Sequence, residues 1–465
     1  MNYDLTGKSI AIIGMARTGL AVAEVVTARG GHATIFDAKP AESIEKAIES
    51  ANKLGVEVAV GCDNPDLSSF DLVVTSPGVP PDKMGLSNAR QAGVEIIAEI
   101  ELAFRIAVAP IAAITGTNGK TTTTVLAGLI LREAGFDTFI AGNAAGTGLV
   151  QDERTIMPLV MAAHRALPND RIVAEISSFQ LDGIAGFAPK VGAVLNVTSD
   201  HLDRYSSVAQ YADAKARMFE YQGSDEYSII NTDDPVSSML RNRTNGHLLE
   251  FSRTREVAEG AYLRGDDIVI TLGGRDAVVC ARSDIRLKGS HNVENLMAAG
   301  LIAMSMGASA VDVKQIARTF GGVAHRMQLV AEIDGVEYIN NSMCTNVDAA
   351  VRSIESVESS VIVICGGRDK NLDYTALADV FVRKVKHVIL IGEARNTLKE
   401  YCDKAGYSAV SEAENMFDAI NRGRTLADTG DVVLLAPVCS SFDMYGSFEE
   451  RGEDFCQAVK GLSVG

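Results

Sequence analysis

Tryptophan is missing from the sequence, and phenylalanine and tyrosine together make up only 6% of its 465 residues. No apolar run approaches the roughly 20 residues that a membrane-spanning helix requires. The first residues include an early aspartate and no basic segment, so we expect no secretory signal peptide. These absences favour a water-soluble protein of the cytoplasm.

The sequence also lacks a Cys-x-x-Cys motif, and its seven cysteines are scattered along the chain. Such a scatter is not typical of a zinc ribbon or of a disulfide framework. We therefore expect reduced thiols with mostly structural roles.

The chain has no excess of positive charge, since its formal net charge at pH 7 is −17. A protein of this charge is repelled by nucleic acid and by anionic membrane surfaces. An anionic substrate would therefore need a local cluster of lysine, arginine or backbone N–H groups. A monomer is the default expectation for the chain in solution.

Apolar strands that alternate with glycine turns and helices run through the chain, which predicts parallel α/β sheets with helical crossovers. A chain of this length is too long for one ordinary core. We predict three domains, over residues 1–108, 109–323 and 324–465. Residues 251–285 form short alternating runs, which predict a small antiparallel element inside the second domain.

The strongest local motif is Gly-Thr-Asn-Gly-Lys-Thr-Thr at residues 116–122, between a predicted strand and a predicted helix. Glycines in this position let backbone N–H groups approach phosphate oxygens, and the helix start adds partial positive charge. Lys120 would contact the outer phosphates, and the Thr121 hydroxyl would bind Mg²⁺. The motif predicts a nucleotide-phosphate site, the alternative being a glycine turn capped by threonine.

Acidic and basic side chains follow two further predicted strands. Glu175 comes directly after one strand, where a carboxylate is well placed to hold a metal ion near phosphates. The other strand leads into a polar segment, residues 196–205, that contains His201. Taken alone, Glu175 is as well explained as a surface residue before a serine helix cap, and Lys215 as a solvated helix residue.

Two amides, Asn292 and Asn295, lie three residues apart on a predicted helix and so share one face. They are suited to reading a base edge or to capping the helix. In the first domain, residues 14–19 form a glycine turn after the first strand, with Asp37 after the second strand. The turn lacks the central glycine of the dinucleotide motif, which disfavours an NAD oxidoreductase.

In their order along the whole chain, these motifs resemble the Mur ligases, the ATP-dependent amide-bond synthetases of peptidoglycan precursor assembly. Ser-Ser-Phe-Gln-Leu at 177–181 and Asp-His-Leu-Asp-Arg-Tyr at 200–205 resemble the glutamate-adding branch. The resemblance implies an N-terminal Rossmann-like nucleotide-sugar domain, a central P-loop-type ATPase domain and a C-terminal Rossmann-like domain. It also implies the addition of glutamate, above all D-glutamate, to UDP-N-acetylmuramoyl-L-alanine through an acyl phosphate.

The resemblance also gives roles to residues of this chain. ATP would contact Gly116, Thr117, Asn118, Gly119, Lys120, Thr121, Thr122, Asn292, Asn295, His325 and Arg326. Two Mg²⁺ ions would be held by Thr121, Glu175, His201 and Lys215, with Lys215 carbamylated by CO₂, and catalysis would depend on Lys120, Glu175, His201 and Lys215. The UDP substrate would contact Gly14, Arg17, Thr18, Asp37, Ser76, Pro77 and Gly78, with Asn143, Ser177 and Gln180 nearer its sugar. The incoming amino acid would contact Thr345, Lys370, Ser441 and Phe448.

One turn departs from the family pattern. Where the family usually has Asp-Ser-Lys-Ala-Thr-Asn, residues 341–346 read Asn-Ser-Met-Cys-Thr-Asn. The resemblance implies that Met343, in place of an ammonium group, removes a charge near the incoming carboxylates. Asn341, in place of a carboxylate, removes an acceptor near the nucleotide or metal. Within the turn, Thr345 and Asp348 predict a capping box for the helix that follows.

Three interpretations stay open at this point. The chain is a divergent D-glutamate ligase in which Lys370, Arg368 or Arg395 supplies the missing charge, or a sibling that adds L-glutamate or another amino acid. The third interpretation is a nucleotide-sugar or ATP sensor without catalysis. The metal-site residues disfavour it, because a sensor does not need a carbamylated lysine.

Overall fold

The computed structural model describes residues 3–80, 83–142, 154–198, 204–287, 289–369 and 372–462. They form two compact units, one running up to residue 320 and one from residue 321 onward. The first unit contains two sheets and the second contains one, so each predicted domain corresponds to one sheet. The boundaries at 108/109 and 323/324 stay predictions. No helix in the described ranges has both the length and the apolar character needed to cross a membrane.

The first sheet is built from parallel strands in the order β3-β2-β1-β4-β5. Its strands are β1 (Ser9–Ile13), β2 (His32–Asp37), β3 (Glu57–Val60), β4 (Leu72–Thr75) and β5 (Glu95–Ala98). Its helices are α1 (Arg17–Ala28), α2 (Glu45–Lys53), α3 (Leu86–Gln91) and α4 (Glu99–Ile106). The chain leaves central β1 for β2 on one side and reaches β4 on the other, which makes the carboxyl end of β1 a topological switch point.

The second sheet has the order β15-β14-β13-β12-β11-β10-β6-β9-β7-β8. Its strands are β6 (Ile111–Thr115), β7 (Thr138–Gly142), β8 (Thr155–Met157), β9 (Arg171–Glu175), β10 (Val191–Val194), β11 (Tyr227–Asn231), β12 (His247–Ser252), β13 (Gly260–Arg264), β14 (Asp267–Leu272) and β15 (Arg275–Ala281). Its helices are α5 (Lys120–Glu133), α6 (Leu159–Arg165), α7 (Ser178–Leu181), α8 (Val208–Ala216), α9 (Pro235–Met239), α10 (Ser290–Ser305) and α11 (Ala310–Thr319). The predicted antiparallel element is confirmed, because β13, β14 and β15 pair antiparallel at one end of this sheet.

The third sheet, in the second unit, has the order β16-β17-β21-β18-β19-β20. Its strands are β16 (Gln328–Ile333), β17 (Val336–Asn340), β18 (Val361–Gly366), β19 (Val385–Ile391), β20 (Val410–Glu412) and β21 (Val432–Leu435). Its helices are α12 (Val347–Ser356), α13 (Thr375–Lys384), α14 (Arg395–Lys404), α15 (Met416–Leu426) and α16 (Phe448–Leu462). Only the β16–β17 pair among the described strands of this sheet is antiparallel, so the turns after β17, β18 and β21 meet at one edge.

Two buried glutamates of α4 fasten the first sheet to the second. Glu99 accepts a hydrogen bond of 2.7 Å from the Val160 N–H at the start of α6. Glu101 accepts from the Ala185 and Gly186 N–H groups at 3.0 and 3.1 Å. Carboxylates placed on helix starts and turns satisfy backbone donors that would otherwise be buried without acceptors.

Glu99 is expected to make stability depend on pH. Burial raises the pKa of Glu99 from its ordinary 4.5 to about 7, and the backbone donors only partly oppose this. The folded protein keeps a proton that the unfolded chain releases, so stability falls as the pH rises from about 4.5 to about 7. We predict that Glu99→Gln removes this decline and is the more stable protein at pH 8, by up to roughly 3 kcal/mol.

Urea unfolding of both proteins at pH 5.5 and pH 8 measures the effect. The Glu99→Gln substitution is compatible with the local contact, because a glutamine side-chain oxygen can still accept from the Val160 N–H at the start of α6. Equal free-energy differences between the two proteins at both pH values would contradict the prediction.

Candidate active site

A glycine loop joins β6 to α5 at the carboxyl edge of the second sheet. All five residues of β6 are buried, as expected for a strand covered on both faces. Gly119 has a φ of 81°, and a Cβ atom there would lie 2.3 Å from the Asn295 side-chain oxygen. Glycine is therefore required on both conformational and steric grounds. The predicted strand, loop and helix are confirmed, and α5 begins at Lys120, inside the motif.

Asn196, just past β10, holds the middle of this loop. Its side-chain oxygen accepts from the Asn118 N–H at 2.8 Å and from the Thr117 N–H at 3.1 Å. Its side-chain N–H donates to the Asn118 carbonyl at 3.2 Å. The first hydrogen bond inside α5 joins the Thr123 N–H to the Gly119 carbonyl. The N–H groups of residues 119–122 therefore lie at the helix start, where an anion is favoured.

Two lysines converge on one carbonyl of the loop. Lys120 Nζ donates to the Gly116 carbonyl at 2.9 Å, and Lys215 Nζ donates to the same oxygen at 3.0 Å. Lys215 is only 1% exposed and lies over the Tyr211 ring, 4.2 Å from its centroid. The interpretation of Lys215 as a solvated helix residue is therefore wrong, because α8 turns its last residues toward the loop. Two neighbouring ammonium groups make this a strongly anion-attracting position.

Glu175 and Thr121 form a buried pair beside the loop. Glu175 ends β9 and is 3% exposed, and Thr121 is equally buried in the first turn of α5. The Thr121 hydroxyl donates to the Glu175 carboxylate at 2.7 Å. The alternative of a surface glutamate is wrong, because parallel pairing of β6 with β9 brings the carboxyl end of β9 next to the loop.

This pair has the chemistry of a magnesium site. A hydroxyl oxygen and a carboxylate oxygen are hard ligands that Mg²⁺ accepts next to phosphates. His201, the third predicted ligand, lies outside the described residues. Within the described ranges, no group of three or more histidine, cysteine, aspartate or glutamate side chains is arranged to hold a metal ion.

The two amides of α10 meet as their spacing predicts. Asn295 donates from its side chain to the Asn292 side-chain oxygen at 3.0 Å. The Asn295 side-chain oxygen accepts from the Thr123 hydroxyl of α5 at 3.3 Å and lies 2.3 Å from the position that a Cβ of Gly119 would take. Asn295 is thus packed against the start of the loop helix rather than used as a helix cap.

Ser177 and Gln180 form a capping box at the start of α7. The Gln180 N–H donates to the Ser177 hydroxyl at 3.4 Å, and the Ser177 N–H donates to the Gln180 side-chain oxygen at 2.9 Å. The serine cap anticipated after Glu175 is therefore confirmed. The cap orients α7 directly after β9, next to the loop.

At the switch point of the first sheet, three predicted substrate residues lie together. Asp37 accepts from the Met15 N–H at 2.8 Å, which joins the turns after β1 and β2. Ser76 donates its hydroxyl to the Gly14 carbonyl at 3.4 Å, which joins the turns after β1 and β4. Arg17, at the start of α1, instead lines a groove with α2 and α6, and Thr18 follows it in α1. Asn143 lies outside the described residues.

A pocket of about 210 Å³ lies within the first unit, between the first sheet and the region after β9. Ser76, Pro77 and Gln180 line it, so it gathers residues predicted from both domains. Its lining arginines are Arg90, which lies in no predicted motif, and Arg204, which belongs to the motif at 200–205 but received no role there. Arg204 lies over the Phe179 ring, 4.3 Å from its centroid, and donates to Asp182 at 3.0 Å. The Phe179 in the motif is the signal that could have pointed to such stacking.

In the second unit, the turn that departs from the family pattern, residues 341–346, connects β17 to α12. The helix is capped by Asn346, whose side-chain oxygen accepts from the Ala349 N–H at 2.8 Å. The predicted cap at Thr345 is therefore wrong by one residue, because Asn346 has the extended backbone and short amide of an N-cap. Asn341 accepts from the Met327 N–H at 3.2 Å and donates to the Ser353 hydroxyl at 2.8 Å. An amide performs both tasks at once, whereas an ionised carboxylate only accepts.

Cys344, in the middle of the turn, belongs to the hydrophobic core. It is 4% exposed, and burial raises its pKa to about 12, so the thiol stays protonated. Met343, its neighbour, is half-buried and donates its N–H to the His325 carbonyl at 3.1 Å. The turn thus combines a core residue with a residue near the predicted ligand-contacting His325.

Arg451 of α16 is a buried residue of this edge that was not predicted from the sequence. It is 1% exposed and donates to the Ser342 hydroxyl at 3.0 Å, the Ser342 carbonyl at 2.9 Å and the Cys439 carbonyl at 3.1 Å. Burial lowers its pKa to about 10. The side chain ties the turn after β17 to the segment after β21. No sequence signal separated it from a solvated arginine on an amphipathic helix.

His325, a predicted ATP contact, has a φ of 61° and is 5% exposed. Its ring lies 3.0 Å from the Asn340 side-chain nitrogen and packs edge-on against Phe448. Burial lowers its pKa, which favours a neutral ring at pH 7. Phe448 therefore touches a predicted nucleotide residue while it begins α16.

The remaining predicted contacts of the second unit are placed as follows. Arg326 follows His325, Thr345 lies in the turn after β17, and Ser441 is buried in the segment after β21. All three therefore lie near the carboxyl ends of the sheet or the entry to β16. Lys370 lies outside the described residues.

Arg368 and Arg395, the proposed substitutes for the lost charge, line one shallow pocket. The pocket also contains Glu393, Glu414 and Asp443. Arg368 pairs with Glu393 at 3.5 Å. The pocket thus offers cationic and anionic groups together, which suits a ligand with both charges, such as an amino acid.

Three domain models match successive parts of the chain. The N-terminal domain of Mur ligases of the MurD-like type matches residues 8–98, the Mur ligase middle domain matches residues 114–303, and the Mur ligase glutamate ligase domain matches residues 325–439. The matches follow one another in the order of the three sheets. Together they cover most of the chain.

Two full-length relatives carry the same name. The chain is 39% identical to the UDP-N-acetylmuramoylalanine–D-glutamate ligase of Pelotomaculum thermopropionicum, with all of both chains covered. It is 40% identical to the enzyme of the same name from Geotalea uraniireducens, over 99% of each chain.

Solved structures of lower identity share the fold. A UDP-N-acetylmuramate-alanine ligase from Thermotoga maritima matches with a TM-score of 0.55 at 16% identity, over 98% of this chain and 100% of the other. A pseudomurein peptide ligase type C from Methanothermus fervidus matches with a TM-score of 0.52 at 18% identity, over 98% of this chain and 100% of the other.

Proposed function

The chain belongs to the Mur ligase family, and we propose from this premise that it joins D-glutamate to UDP-N-acetylmuramoyl-L-alanine. It is an ATP-dependent amide-bond ligase, as its domains and its full-length relatives indicate. The buried Thr121–Glu175 pair beside Lys120 is the observation that carries the proposal, because phosphoryl transfer requires charge neutralisation there. We propose that the protein acts as a monomer in the cytoplasm.

In the first step, the substrate carboxylate attacks the γ-phosphorus of ATP, and ADP leaves from an acyl phosphate. In the second step, the amino group of glutamate attacks the acyl carbon, loses a proton, and phosphate leaves. Lys120 would hold the γ-phosphate, while the N–H groups at the start of α5 would hold the neighbouring phosphates. The chain's own contribution is to align the reacting atoms and neutralise charge.

Thr121 and Glu175 would hold one Mg²⁺, which would bind phosphate oxygens and offset their charge. His201 and a carbamylated Lys215 would hold a second. Carbamylation joins CO₂ to the neutral lysine amine with release of one proton, and it replaces a cation by an anion. It would also remove the repulsion between the ammonium groups of Lys120 and Lys215, which both donate to the Gly116 carbonyl.

The UDP substrate would lie along the first unit. Its UDP part fits the switch point formed by the turns after β1, β2 and β4, where Gly14, Asp37 and Ser76 meet. The pocket of about 210 Å³ is too small for the whole substrate and would take the lactyl-alanine end. Arg90 and Arg204 would supply positive charge there.

The incoming amino acid would be held in the second unit by Thr345, Lys370, Ser441 and Phe448. Met343 carries no charge, so recognition of two carboxylates requires other cations. Arg368 and Arg395 are placed at the same edge of the third sheet and would serve as these cations. Because Met343 changes the family pattern, L-glutamate remains the second candidate for the added amino acid.

The deciding experiment measures phosphate release with UDP-N-acetylmuramoyl-L-alanine, Mg-ATP and single amino acids. We expect release to require D-glutamate, and the product to gain the mass of one glutamate less one water. Stimulation by L-glutamate alone would replace the first candidate by the second. Failure of both enantiomers to stimulate release, with nucleotide still bound, would indicate a sensor without ligase activity.

A further inference from the structure

Asn196 makes an uncommon set of contacts with the phosphate loop. Its side-chain amide accepts from the Asn118 N–H at 2.8 Å and donates to the Asn118 carbonyl at 3.2 Å. A closed pair of hydrogen bonds thus joins one side-chain amide to both peptide groups of one residue. Only asparagine or glutamine has both a donor and an acceptor in the flat geometry that this pair requires.

The same residue also fixes the loop on its other side. The Thr117 N–H donates to the Asn196 main-chain carbonyl at 3.0 Å and to its side-chain oxygen at 3.1 Å. Next to it, the Thr117 hydroxyl and the Thr198 backbone exchange hydrogen bonds, the hydroxyl donating to the Thr198 carbonyl at 3.3 Å and accepting from its N–H at 3.0 Å. The chain after β10 therefore continues to pair with the chain after β6 beyond the end of both strands.

These contacts decide which N–H groups a phosphate can use. The N–H groups of Thr117 and Asn118 are occupied by Asn196, although a glycine loop is generally expected to offer them to phosphate. The N–H groups of residues 119–122 at the start of α5 are the ones oriented by this arrangement. The Gly116 carbonyl accepts hydrogen bonds from both Lys120 and Lys215, and it lies just before Thr117 and Asn118.

We propose that Asn196 is a positioning residue for nucleotide binding, which holds the loop in the shape that receives the ATP phosphates. The inference rests on the proposed function for the identity of the nucleotide. Asn196 acts through Asn118 and Thr117, the loop residues with which it forms hydrogen bonds. It also begins the segment of residues 196–205, so it links the loop to the segment that contains the predicted metal ligand His201.

Asn196→Ala is expected to weaken binding of Mg²⁺ with a non-hydrolysable ATP analogue by about 10-fold to 100-fold. Titration calorimetry on the full-length protein measures it without any other substrate. Asn196→Asp keeps the size and the acceptor but loses the donor to Asn118 and adds a negative charge beside the phosphates. We expect it to bind the analogue at least as poorly as Asn196→Ala.

Asn231→Ala is the matched control. Asn231 is buried at the end of the neighbouring strand β11, where its side chain accepts from the Asp233 N–H at 2.9 Å, within its own turn. We expect the control to lose comparable thermal stability and to bind the analogue as the wild type does. Equal nucleotide affinity in Asn196→Ala and Asn231→Ala would overturn the proposal and leave Asn196 a structural residue.

Steady-state kinetics gives a second readout. The KM for ATP should rise in Asn196→Ala, while the KM for the amino acid stays within about twofold, because only nucleotide placement changes. If the wild type binds the analogue but adds no amino acid, the proposed function fails while the role of Asn196 is still decided by the binding titration. If the wild type does not bind the analogue, the role of Asn196 is refuted as well.

Discussion

Lys215→Ala is expected to retain less than about one-thousandth of wild-type phosphate release, because it would remove the carbamate that we propose as a metal ligand at the reacting phosphates. The lysine is 1% exposed and its Nζ lies 3.0 Å from the Gly116 carbonyl, so the truncation opens a space beside the loop. A short carboxylic acid such as acetate fits such a space and carries the charge of a carbamate. We therefore expect acetate or formate to restore part of the activity in the variant.

Charge variants separate an anionic role from a cationic one. Lys215→Arg keeps a positive charge but cannot be carbamylated, and Lys215→Glu places a carboxylate on a shorter side chain. If Lys215 acts as a carbamate, the glutamate variant should exceed the arginine variant in activity. The reverse order would show that Lys215 acts as a cation.

Lys190→Ala is the matched control for Lys215→Ala. Lys190 also lies over a tyrosine ring, with its Nζ 5.7 Å from the Tyr227 centroid, but it directly precedes β10, at the end of the strand opposite the loop. Phosphate release by this control should match the wild type. Acetate should not change the activity of Lys190→Ala. Wild-type activity in Lys215→Ala would show that Lys215 is an ordinary structural lysine.

The phosphate loop could be predicted from the sequence because local patterns determine it. A buried strand, glycines with required backbone angles and a helix start are adjacent in the chain, so no distant contact is needed to recognise them. Lys215 could not be placed in this way. Its helix has a composition typical of a solvated helix, and only the packing of α8 against the loop buries it. The resemblance to a family supplied what spacing could not.

The contacts of Asn196 could not be predicted from the sequence either. An asparagine after a strand is typical of turns, and its sequence gives no sign of a pairing with a residue 78 positions earlier. The partner is set by the adjacency of β10 and β6 in the sheet order, which is a property of topology. Arg451 and the N-cap at Asn346 were missed for related reasons, since side-chain direction decides both.

Glu175→Gln is expected to lower kcat by about 10³-fold or more, which corresponds to roughly 4 kcal/mol of transition-state stabilisation. Glutamine keeps an oxygen that accepts from the Thr121 hydroxyl, so the 2.7 Å hydrogen bond and the local packing can persist. What it removes is a full negative charge at the proposed metal site. The Mg²⁺ concentration needed for half-maximal activity should therefore rise, while thermal stability is maintained.

Glu101→Gln provides the comparison that isolates the metal. Glu101 is equally buried in the same unit, but its carboxylate holds backbone N–H groups and pairs with Arg105 at 2.9 Å. Loss of that charge should reduce stability and leave the Mg²⁺ dependence unchanged, because Glu101 is not part of the proposed metal site. Glu175→Gln should show the opposite pattern. An unchanged Mg²⁺ requirement in Glu175→Gln would mean that the Thr121–Glu175 pair positions the loop without binding the metal ion.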